Sequence, residues 1–506
     1  MHRKLIALSL IGLLPLCWAM SEGPAEKVEA EASSHDVSVE QIRPFKIFYW
    51  SALPNTPVNI EDQLLAVELM ERTGIEFDVE YAGGQDAETK LSLYFASGDY
   101  PDLWYTNNVG KVREWKELGV TIGLQRLLER HGDNIMKSVN PEAWPYITFD
   151  GDVWAIPKGS RPEPYNRDEC MRGLVARWDW VEKLGYAAKA QSDDFDLDDY
   201  YGLVKAMTME DPDGNDKNDT YGLVESFNGD FLHLQGAFGL VDWMQAGDRL
   251  VAKHMSPNYK DFLRTVRDWF EEGLIDPEFV VSKEPQLQQK FINSKAGTRG
   301  YFWFWVDPGS PLNNALRDAS PSAELKMIVP PKGPLGQRGV QKSSPVSAPA
   351  VISNKCPQPE MLMQLLNYLA SEEGHNLAKF GIEGENFTYD ATANRINLIP
   401  PYDKQAEFQK LGAVEFFLIT DRRWANEATL KAVGMTNTYA IPSEFYGQVP
   451  AMANAANLDK DITETRIKYI MGQIGMDEVD RMRERWLANG GQEITDQVNA
   501  EWRKMK

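Results

Sequence analysis

Residues 45–81 run FKIFYWSALPNTPVNIEDQLLAVELMERTGIEFDVEY. Apolar residues alternate along Phe45–Trp50, which predicts a first strand. Apolar side chains then recur at helical spacing from residue 59 to residue 73, and Gly74 is placed to end that helix. The next segment, Ile75–Tyr81, alternates without interruption, which predicts a second strand with one buried face.

The alternation of strand and helix continues beyond this segment. Asp86–Ala96 has a helical pattern, and Leu103–Tyr105 is a short apolar run that predicts a third strand. Alternating strands and helices favour an α/β fold with a parallel or mixed sheet. Such sheets bind ligands in the crevice at the carboxyl ends of their strands. Trp50 and Trp104 both lie at predicted strand ends, so they are candidates for ligand contact.

Further along the chain, two long amphipathic patterns predict helices. They span Met361–Phe380 and Thr463–Ala488, and the second is expected to break near Gly472 and Gly475.

The length and charge of the chain narrow its function. At roughly 150 residues per domain, 506 residues predict about three domains or two large lobes. The net charge of −22 makes binding to nucleic acid or to anionic membrane surfaces improbable as the main task, since both are negatively charged. The 3 cysteines cannot build a disulfide framework, and whether Cys170 and Cys356 pair stays open at this point.

The first residues have the pattern of an export signal. A short basic segment precedes an apolar run, Leu5–Leu16, which is too short to span a bilayer as a helix. The alternative is a buried N-terminal helix. Residues 1–20 are therefore predicted to be a signal peptide, and residues 21–43, rich in Glu, Ala and Ser, a disordered acidic tether. The mature chain is expected on the periplasmic or extracellular face of the cytoplasmic membrane.

Cys17 raises the question of a lipid anchor. A cysteine directly after the apolar run is the position that bacterial lipoproteins acylate, but Leu16 stands where a small residue is usual. Cleavage after Ala19 competes with acylation, and we expect soluble export more often than lipidation.

Motifs for the common catalytic mechanisms are missing from the sequence. There is no GxxxxGK[ST] phosphate loop, no GxSxG nucleophile elbow and no HExxH zinc helix, and only 6 histidines are present. Paired carboxylates remain open in a chain with 75 acidic residues, so a secreted glycoside hydrolase is the alternative function.

One local motif is specific. DPDGNDKNDTYG, residues 211–222, spaces short oxygen-bearing side chains as a calcium loop does, although an EF-hand would have Gly at its sixth position and Glu at its twelfth. The alternative is a solvated turn. The predicted calcium ligands are Asp211, Asp213, Asn215, the carbonyl of Lys217, and Asp219.

The run YFWFW, Tyr301–Trp305, carries more aromatic surface than a half-exposed strand can bury on both faces. Plain core packing is the alternative for each ring, but some rings are expected to be exposed and to stack on sugar C–H faces or on cations. Arg299 lies nearby and could form bidentate hydrogen bonds to hydroxyls or a carboxylate.

Several strings occur in an order that resembles the extracellular solute-binding proteins of family 1, in the large branch that serves oligosaccharide ABC importers. They are LYFASGDYPDLWY (93–105), TFDGDVWAIP (148–157), LVARWDWVEKLG (174–185), DPDGNDKNDTYGL (211–223), WFEEGLIDPEF (269–279), FGIEGENF (380–387) and the tail NGGQEITDQVNAEW (489–502). The resemblance covers nearly all of the chain after residue 45.

This resemblance implies a two-lobed periplasmic-binding-protein-like fold with a ligand cleft between the lobes. We assign residues 44–160 plus 343–400 to lobe I and residues 161–342 plus 401–506 to lobe II. The implied protein is not an enzyme: it is a monomer that binds structural Ca²⁺ in the Asp/Asn loop, captures an oligosaccharide and delivers it to ABC transporter permease subunits. The family's loop often has an acidic residue where this chain has Thr220, which leaves the sixth calcium ligand open.

The sugar site predicted on this basis combines flat aromatic rings with a few fixed polar groups. Its members are Trp50, Asp99, Asp102, Trp104, Arg299, Trp303 and Trp305, and Asp99 has the alternative of only shaping its turn.

Overall fold

The structure is a computed structural model that describes residues 40–49, 55–106, 108–159, 169–412, 414 and 420–506. Within these residues the strands are β1 Phe45–Tyr49, β2 Phe77–Tyr81, β3 Leu103–Tyr105, β4 Thr148–Phe149, β5 Asp152–Val153, β6 Arg172–Arg177, β7 Tyr221–Leu223, β8 Trp243–Ala246, β9 Arg249–Ala252, β10 Ala296–Phe302, β11 Leu325–Ile328, β12 Val340–Gln341, β13 Ala350–Ile352, β14 Phe387–Asp390, β15 Arg395–Leu398 and β16 Ala440–Ile441.

The α-helices are α1 Leu64–Thr73, α2 Gly84–Ser97, α3 Val109–Glu117, α4 Gln125–His131, α5 Asp133–Ser138, α6 Trp178–Lys183, α7 Leu197–Met209, α8 Leu232–Ala237, α9 Asn258–Glu271, α10 Glu284–Ile292, α11 Pro311–Ala319, α12 Pro359–Leu369, α13 Glu372–Phe380, α14 Gln405–Gln409, α15 Glu427–Thr438, α16 Ala456–Ile470, α17 Met476–Trp486 and α18 Gln492–Met505. None of the helices in the described ranges is both long enough and apolar enough to cross a bilayer.

The first sheet has the strand order β13-β3-β1-β2. Strand β1 pairs in parallel with β2 and β3, as the strand–helix alternation predicts. Strand β13 adds to the edge in the opposite direction, with Ala350 opposite Tyr105. Both faces of this sheet are covered, because four of the five side chains in β1 are buried.

The second sheet has the order β11-β6-β10-β7. Strand β10 runs parallel to β7 and antiparallel to β6. Successive β6 residues alternate between two cores: Leu174 and Ala176 pack into one hydrophobic cluster and Val175 into another. This alternation buries β6 on both faces.

Each sheet has its own hydrophobic core. The first core draws on residues 45–156 and 346–414, and the second sheet's clusters draw mainly on residues 174–328. Leu411 and Val414 pack into the first core, beyond residue 400 where we placed the end of lobe I. The boundaries between the lobes stay a prediction.

Two connecting segments run side by side between the cores. The backbone N–H of Lys158 donates to the carbonyl of Ser347 at 2.7 Å, and that of Ser343 donates to the carbonyl of Glu169 at 3.0 Å. The segment 343–347 therefore pairs with Lys158, near the end of the described residues 108–159, and with Glu169, just before β6.

The C-terminal helices pack on the β8–β9 hairpin. Asn499 of α18 accepts a hydrogen bond from the backbone N–H of Leu250 at 2.7 Å and donates to its carbonyl at 3.0 Å. Ahead of these helices, Phe445 and Tyr446 both contact the ring of Tyr146, with centroids 5.8 and 6.2 Å apart. Tyr146 also packs against the first core, so this segment joins the C-terminal part of the chain to that core.

Candidate ligand-binding site

A cavity of about 420 Å³ lies at the edge of the second sheet where β6 begins and β10 ends. We call it the sheet-edge cavity. It is lined by Cys170, Met171, Arg172, Asp230, Leu232, Gln235, Leu240, Asp242, Lys253, Phe302 and residues 340–344. The carboxyl end of β10 and one of the two connecting segments thus meet in one concave site, which is where α/β sheets bind ligands.

Arg172 and Phe302 form the sheet side of the cavity. They are paired directly opposite each other on β6 and β10. The guanidinium carbon of Arg172 lies 4.7 Å from the centre of the Phe302 ring. Arg172 is exposed and Phe302 is half-buried. The pair therefore presents an aromatic ring and a cation to the cavity.

The other charged side chains of the cavity have ion-pair partners. Asp230 pairs with Arg466 at 2.9 Å, and Asp242 pairs with Lys253 at 2.9 Å. Burial alone would raise the pKa of the Asp242 carboxyl, but Lys253 and a hydrogen bond from Gln341 hold it below its ordinary value. Asp242 is therefore ionised at neutral pH.

Lys342 lies on the connecting segment of residues 340–350 and pairs with a glutamate on either side of that segment. Its ammonium is 2.5 Å from Glu169 and 3.4 Å from Glu142, which follows the first core's helix α5. A charge on the cavity wall is thereby tied to the first core.

Cys170 and Cys356 form no disulfide with each other. The Cys170 thiol lines the sheet-edge cavity and donates to the carbonyl of Arg172 at 3.2 Å, and Cys356 lies against the first core. Burial raises the pKa of Cys356 to about 12, which keeps that thiol protonated.

Trp104 occupies the first core, which corrects its expected role as a ligand-stacking ring. It is 0% exposed and packs edge-on against Phe95, Tyr100 and Trp115, with ring centroids 5.5 to 5.8 Å apart. A ring enclosed on its sides by other rings has no face for a sugar. Trp50, the other strand-end candidate, lies outside the described residues.

Trp303 and Trp305 are also buried, at 5% and 2% exposure, which corrects the same expectation for the second lobe. Strand β10 ends at Phe302 and a 3-10 turn, Trp303–Val306, follows it. This turn directs both indoles inward, and Trp305 contacts Phe291 and Tyr301. Within the run, Tyr301 and Phe302 are half-buried and Phe304 is 40% exposed.

Arg299 is not available to a ligand either. It is 3% exposed, pairs with Glu284 at 2.9 Å and lies 3.9 Å from the centre of the Tyr301 ring. Its charge serves the interior of the second lobe, so the expected contact with substrate is corrected.

Asp102 and Asp99 bind protein groups. Asp102 is 1% exposed, accepts two hydrogen bonds from Arg43 at 2.7 and 2.9 Å, and accepts a third from the backbone N–H of Lys46. The hydrogen bond to Asp102 raises the pKa of Arg43. Asp99 is exposed and pairs with Lys46 at 3.3 Å. These pairs fix the start of β1. Asp102 is therefore a structural residue, and ligand contact by the exposed Asp99 stays a prediction.

The sequence-based site therefore missed Arg172 and Phe302, which line the cavity. Phe302 lies inside the aromatic run, and the signal that could have selected it was its place as the last residue of β10, just before the turn. Arg172 gave no signal in the sequence, because its exposure depends on where β6 begins.

The Asp/Asn loop gathers several side-chain oxygens in one short segment. The backbone N–H groups of Asn215 and Asp216 donate to the Asp211 carboxylate at 3.0 and 2.9 Å. The Asn215 amide donates to Asp213 at 2.8 Å and to Asp219 at 3.2 Å. Oδ1 of Asp213 is buried and has no hydrogen-bond partner among the described residues. Burial and the neighbouring Asp211 raise the pKa of Asp213.

Protein donors already engage several oxygens of the loop. The ammonium of Lys295 pairs with Asp219, and the backbone N–H of Lys217 donates to Oδ1 of Asn215 at 2.8 Å. Across the part of the chain that the structure describes, no three acidic, histidine or cysteine side chains are arranged to hold a metal ion.

Two sheets with separate cores, joined by connecting segments beside a cavity at a strand edge, define a two-lobed α/β binding protein. A sequence model of the family described as "Bacterial extracellular solute-binding protein" matches residues 59–376. The chain belongs to this family, whose members bind solutes and are not enzymes. The predicted α/β class with two lobes is confirmed.

Similar proteins cover nearly the whole chain. The polygalacturonan/rhamnogalacturonan-binding protein YtcQ of Bacillus subtilis is 23% identical over 472 residues, which are 87% of this chain and 88% of YtcQ. The structure of the alginate-binding protein AlgQ2 without calcium ion has a TM-score of 0.69 at 19% identity and covers 91% of this chain and 98% of its own. An EF-hand mutant of the ABC-transporter substrate-binding protein FusA of S. pneumoniae, in complex with fructo-nystose, has a TM-score of 0.70 at 18% identity and covers 92% and 99%. At these identities the structural likeness shows the shared fold.

Proposed function

We propose that this chain captures an oligosaccharide in the sheet-edge cavity as the extracytoplasmic substrate-binding component of an ABC importer and delivers it to the membrane permease. The observation that carries the proposal is the combination of a half-buried aromatic side chain, Phe302, with fixed polar side chains at the carboxyl end of β10. A sugar ring offers apolar C–H faces and hydroxyl edges, so it needs both kinds of group.

The polar groups of the cavity are held in place before a ligand arrives. The Gln341 side chain donates to the Asp242 carboxylate at 2.8 Å and accepts a hydrogen bond from the backbone N–H of Asp242. These two hydrogen bonds anchor the connecting segment to the wall of the cavity. Groups fixed in this way lose little conformational freedom when they bind a hydroxyl.

The alternative, a glycoside hydrolase, finds little support in this cavity. Its two carboxylates, Asp230 and Asp242, are both engaged by cations. A general acid needs a carboxyl with a raised pKa, whereas the pKa of Asp242 is lowered.

The test is calorimetric titration of a panel of oligosaccharides into the protein and its Phe302→Ala variant. We expect at least one sugar to bind, and the variant to lose roughly 2 kcal/mol of binding free energy, as aromatic anchors in pockets usually do. Tyr389→Ala is the matched control, since Tyr389 is 40% exposed on β14 and does not line the cavity. Release of new reducing ends from any sugar in the panel would contradict the proposal.

We propose in addition that the loop at residues 211–219 binds a structural calcium ion. The support is the buried, unpartnered Oδ1 of Asp213 beside the carboxylates of Asp211 and Asp219. Asn215 and the carbonyl of Lys217 would complete a set of oxygen donors, the ligands calcium prefers. Calcium would replace the amide and ammonium donors that these oxygens now accept from, and would hold the end of α7 to the start of β7.

Chelation tests this second proposal. We expect the melting temperature to fall in a chelator and to recover with added calcium, since a metal bound only by the folded state stabilises it. Asp213→Ala should abolish the response, whereas Asp216→Asn should keep it, because Asp216 is not among the proposed ligands. Equal melting temperatures with chelator and with calcium would exclude the site.

The remaining parts of the proposal concern export and assembly. Signal cleavage, soluble release rather than acylation at Cys17, a monomeric state and a permease partner all stay proposals. The mass of the mature N-terminus decides between cleavage after Ala19 and a diacylglyceryl Cys17.

A further inference from the structure

The charges around the sheet-edge cavity are unevenly matched. Its carboxylates, Asp230 and Asp242, each have a cationic partner at 2.9 Å, and Lys342 is held by Glu169. Arg172 differs: no carboxylate of the described residues forms an ion pair with it, and no hydrogen bond joins its guanidinium to another described side chain. Its guanidinium lies over the Phe302 ring in a cation–π contact.

We infer that Arg172 recognises a carboxylate on the bound sugar, so that the ligand class is an acidic oligosaccharide containing uronic or sialic acid. This inference rests on the proposed function and adds to it the ligand's charge and the residue that reads it. A guanidinium presents a fork of N–H donors that matches the two oxygens of a carboxylate, and each such hydrogen bond is strengthened by charge.

The position of Arg172 suits this role. Its side chain leaves the first residue of β6 beside the half-buried ring of Phe302, and the cavity of about 420 Å³ has the size of ordinary small-ligand sites. Contact with Phe302 orients the guanidinium without consuming its hydrogen-bond donors. One ligand can therefore lie in the cavity against the exposed part of Phe302 and place its carboxylate on Arg172.

The net charge of the whole chain opposes the approach of an anionic sugar. At −22 the molecule repels anions at long range, so a preference for an acidic sugar has to come from a local contact. Close charge-assisted pairs are screened by salt much less than the long-range field.

The test compares each acid with its own methyl ester, which keeps the sugar and removes the charge. Trigalacturonic acid and sialyllactose, each as free acid and as methyl ester, are titrated into the protein by calorimetry, beside a panel of neutral oligosaccharides. We expect at least one acid to bind about tenfold or more tightly than its ester, the size of effect that a charge-assisted pair produces.

Three variants assign that preference. Arg172→Gln should bring the acid and the ester to within about threefold of each other, and Arg172→Lys should keep part of the preference because it keeps the charge without the fork. Arg249→Gln is the matched control: it removes an exposed arginine from β9 that does not line the cavity, and it should leave the preference intact. Circular dichroism verifies that each variant is folded.

The outcomes separate this inference from the proposed function. Neutral sugars that bind while both acids fail, an ester that binds as tightly as its acid, or a preference that survives in Arg172→Gln would each overturn the inference and leave oligosaccharide capture standing. If no sugar in the panel binds, the proposed function fails together with it.

Discussion

Trp104 is a single large aromatic side chain that stabilises the first core. Trp104 lies on β3 between three other rings and loses all of its accessible surface. Burying an indole of this size contributes several kcal/mol to the free energy of unfolding. Its role is therefore structural, and removing it is expected to act on stability and not on ligand affinity directly.

Trp104→Ala should lower the free energy of unfolding by about 3–5 kcal/mol, because it leaves a large cavity in a packed core. Phe304→Ala should cost about 1 kcal/mol or less, since Phe304 is 40% exposed. Urea denaturation of both variants measures the difference. Equal losses would mean that Trp104 is not enclosed as described.

A buried histidine makes the free energy of unfolding depend on pH in the mildly acidic range. His254 packs edge-on against Trp486 with centroids 4.5 Å apart. Burial, assisted by the charges of Lys253 and Arg483, lowers the pKa of His254 to about 3. The folded state therefore keeps this ring neutral, while the unfolded chain protonates it near pH ~6.5. Its contribution is fully present above that pH and is lost as the pH falls toward 3.

His254→Phe should weaken this acid dependence. Between pH 7 and pH 5 the parent should lose roughly 2 kcal/mol more unfolding free energy than the variant does, at about 1.36 kcal/mol per pH unit below 6.5. Urea titrations at the two pH values give the comparison directly. His233 has the same shift and remains in the variant, so a residual slope is expected. Identical slopes in both proteins would show that His254 titrates normally.

At this scale the sequence identified the aromatic run and the acidic loop but not which side chains face a cavity. The reason is local: at Trp303 a strand gives way to a 3-10 turn, and the alternation that predicts exposure no longer applies. Arg299 and Asp102 were selected as ligand contacts because their side chains are charged. In the fold, Glu284 pairs with Arg299 and Arg43 pairs with Asp102, and both partners are distant in the sequence. Such pairings are not encoded in local spacing.

Helix α8 shows how an element is positioned beside the cavity by close backbone approach. An added Cβ on Gly236 would lie 1.8 Å from the carbonyl oxygen of Gly339, on the segment that leads into β12. Two glycines thus allow the helix and the connecting segment to touch without side chains between them.

Gly236→Ala should therefore lower the unfolding free energy by roughly 2 kcal/mol or more, because the new methyl group meets backbone that has little room to move. Gly434→Ala is the opposite case: it lies inside α15 and its Cβ would meet nothing within 4 Å. Alanine there should stabilise the protein by about 0.5–1 kcal/mol. Thermal unfolding of both variants tests the pair, and a shift of the same sign in each would contradict this account.

Element boundaries were predicted best where periodicity was strong. The predicted break near Gly472 and Gly475 is confirmed, since α16 ends at Ile470 and α17 starts at Met476. The single helix predicted over Met361–Phe380 is wrong: α12 ends at Leu369, and Ser371 begins α13 by accepting a hydrogen bond from the backbone N–H of Gly374. A serine cap inside an apolar pattern is easily missed, because the pattern continues across it.

Two cores joined by narrow connections describe the molecule as a whole. The strand–helix alternation at the start of the chain predicted the class correctly, because a parallel sheet needs helical crossovers. The exact extent of each lobe could not be obtained in this way. Residues 346–414 return to the first core after the second sheet is built, and that return depends on long-range contacts.

Ligand binding is expected to make the molecule more compact. If the lobes close on the sugar, small-angle scattering should show a smaller radius of gyration with saturating ligand, since the ligand stabilises the state that contacts it best. Phe302→Ala, at the same ligand concentration, should remain closer to the free protein. An unchanged radius in the parent at saturation would show a site that binds without closure.

The late return of residues 346–414 to the first core has a consequence for how the chain folds. Strand β3 is made early, but its partner β13 follows only at Ala350, so the first sheet is completed by contacts of very large sequence separation. Such contacts form slowly, because a long loop must close and lose conformational entropy before the contacts can stabilise the fold. During that interval β3 is an open sheet edge, able to pair with other chains. A polypeptide truncated before residue 346 should therefore aggregate, whereas the full-length chain covers this edge with β13.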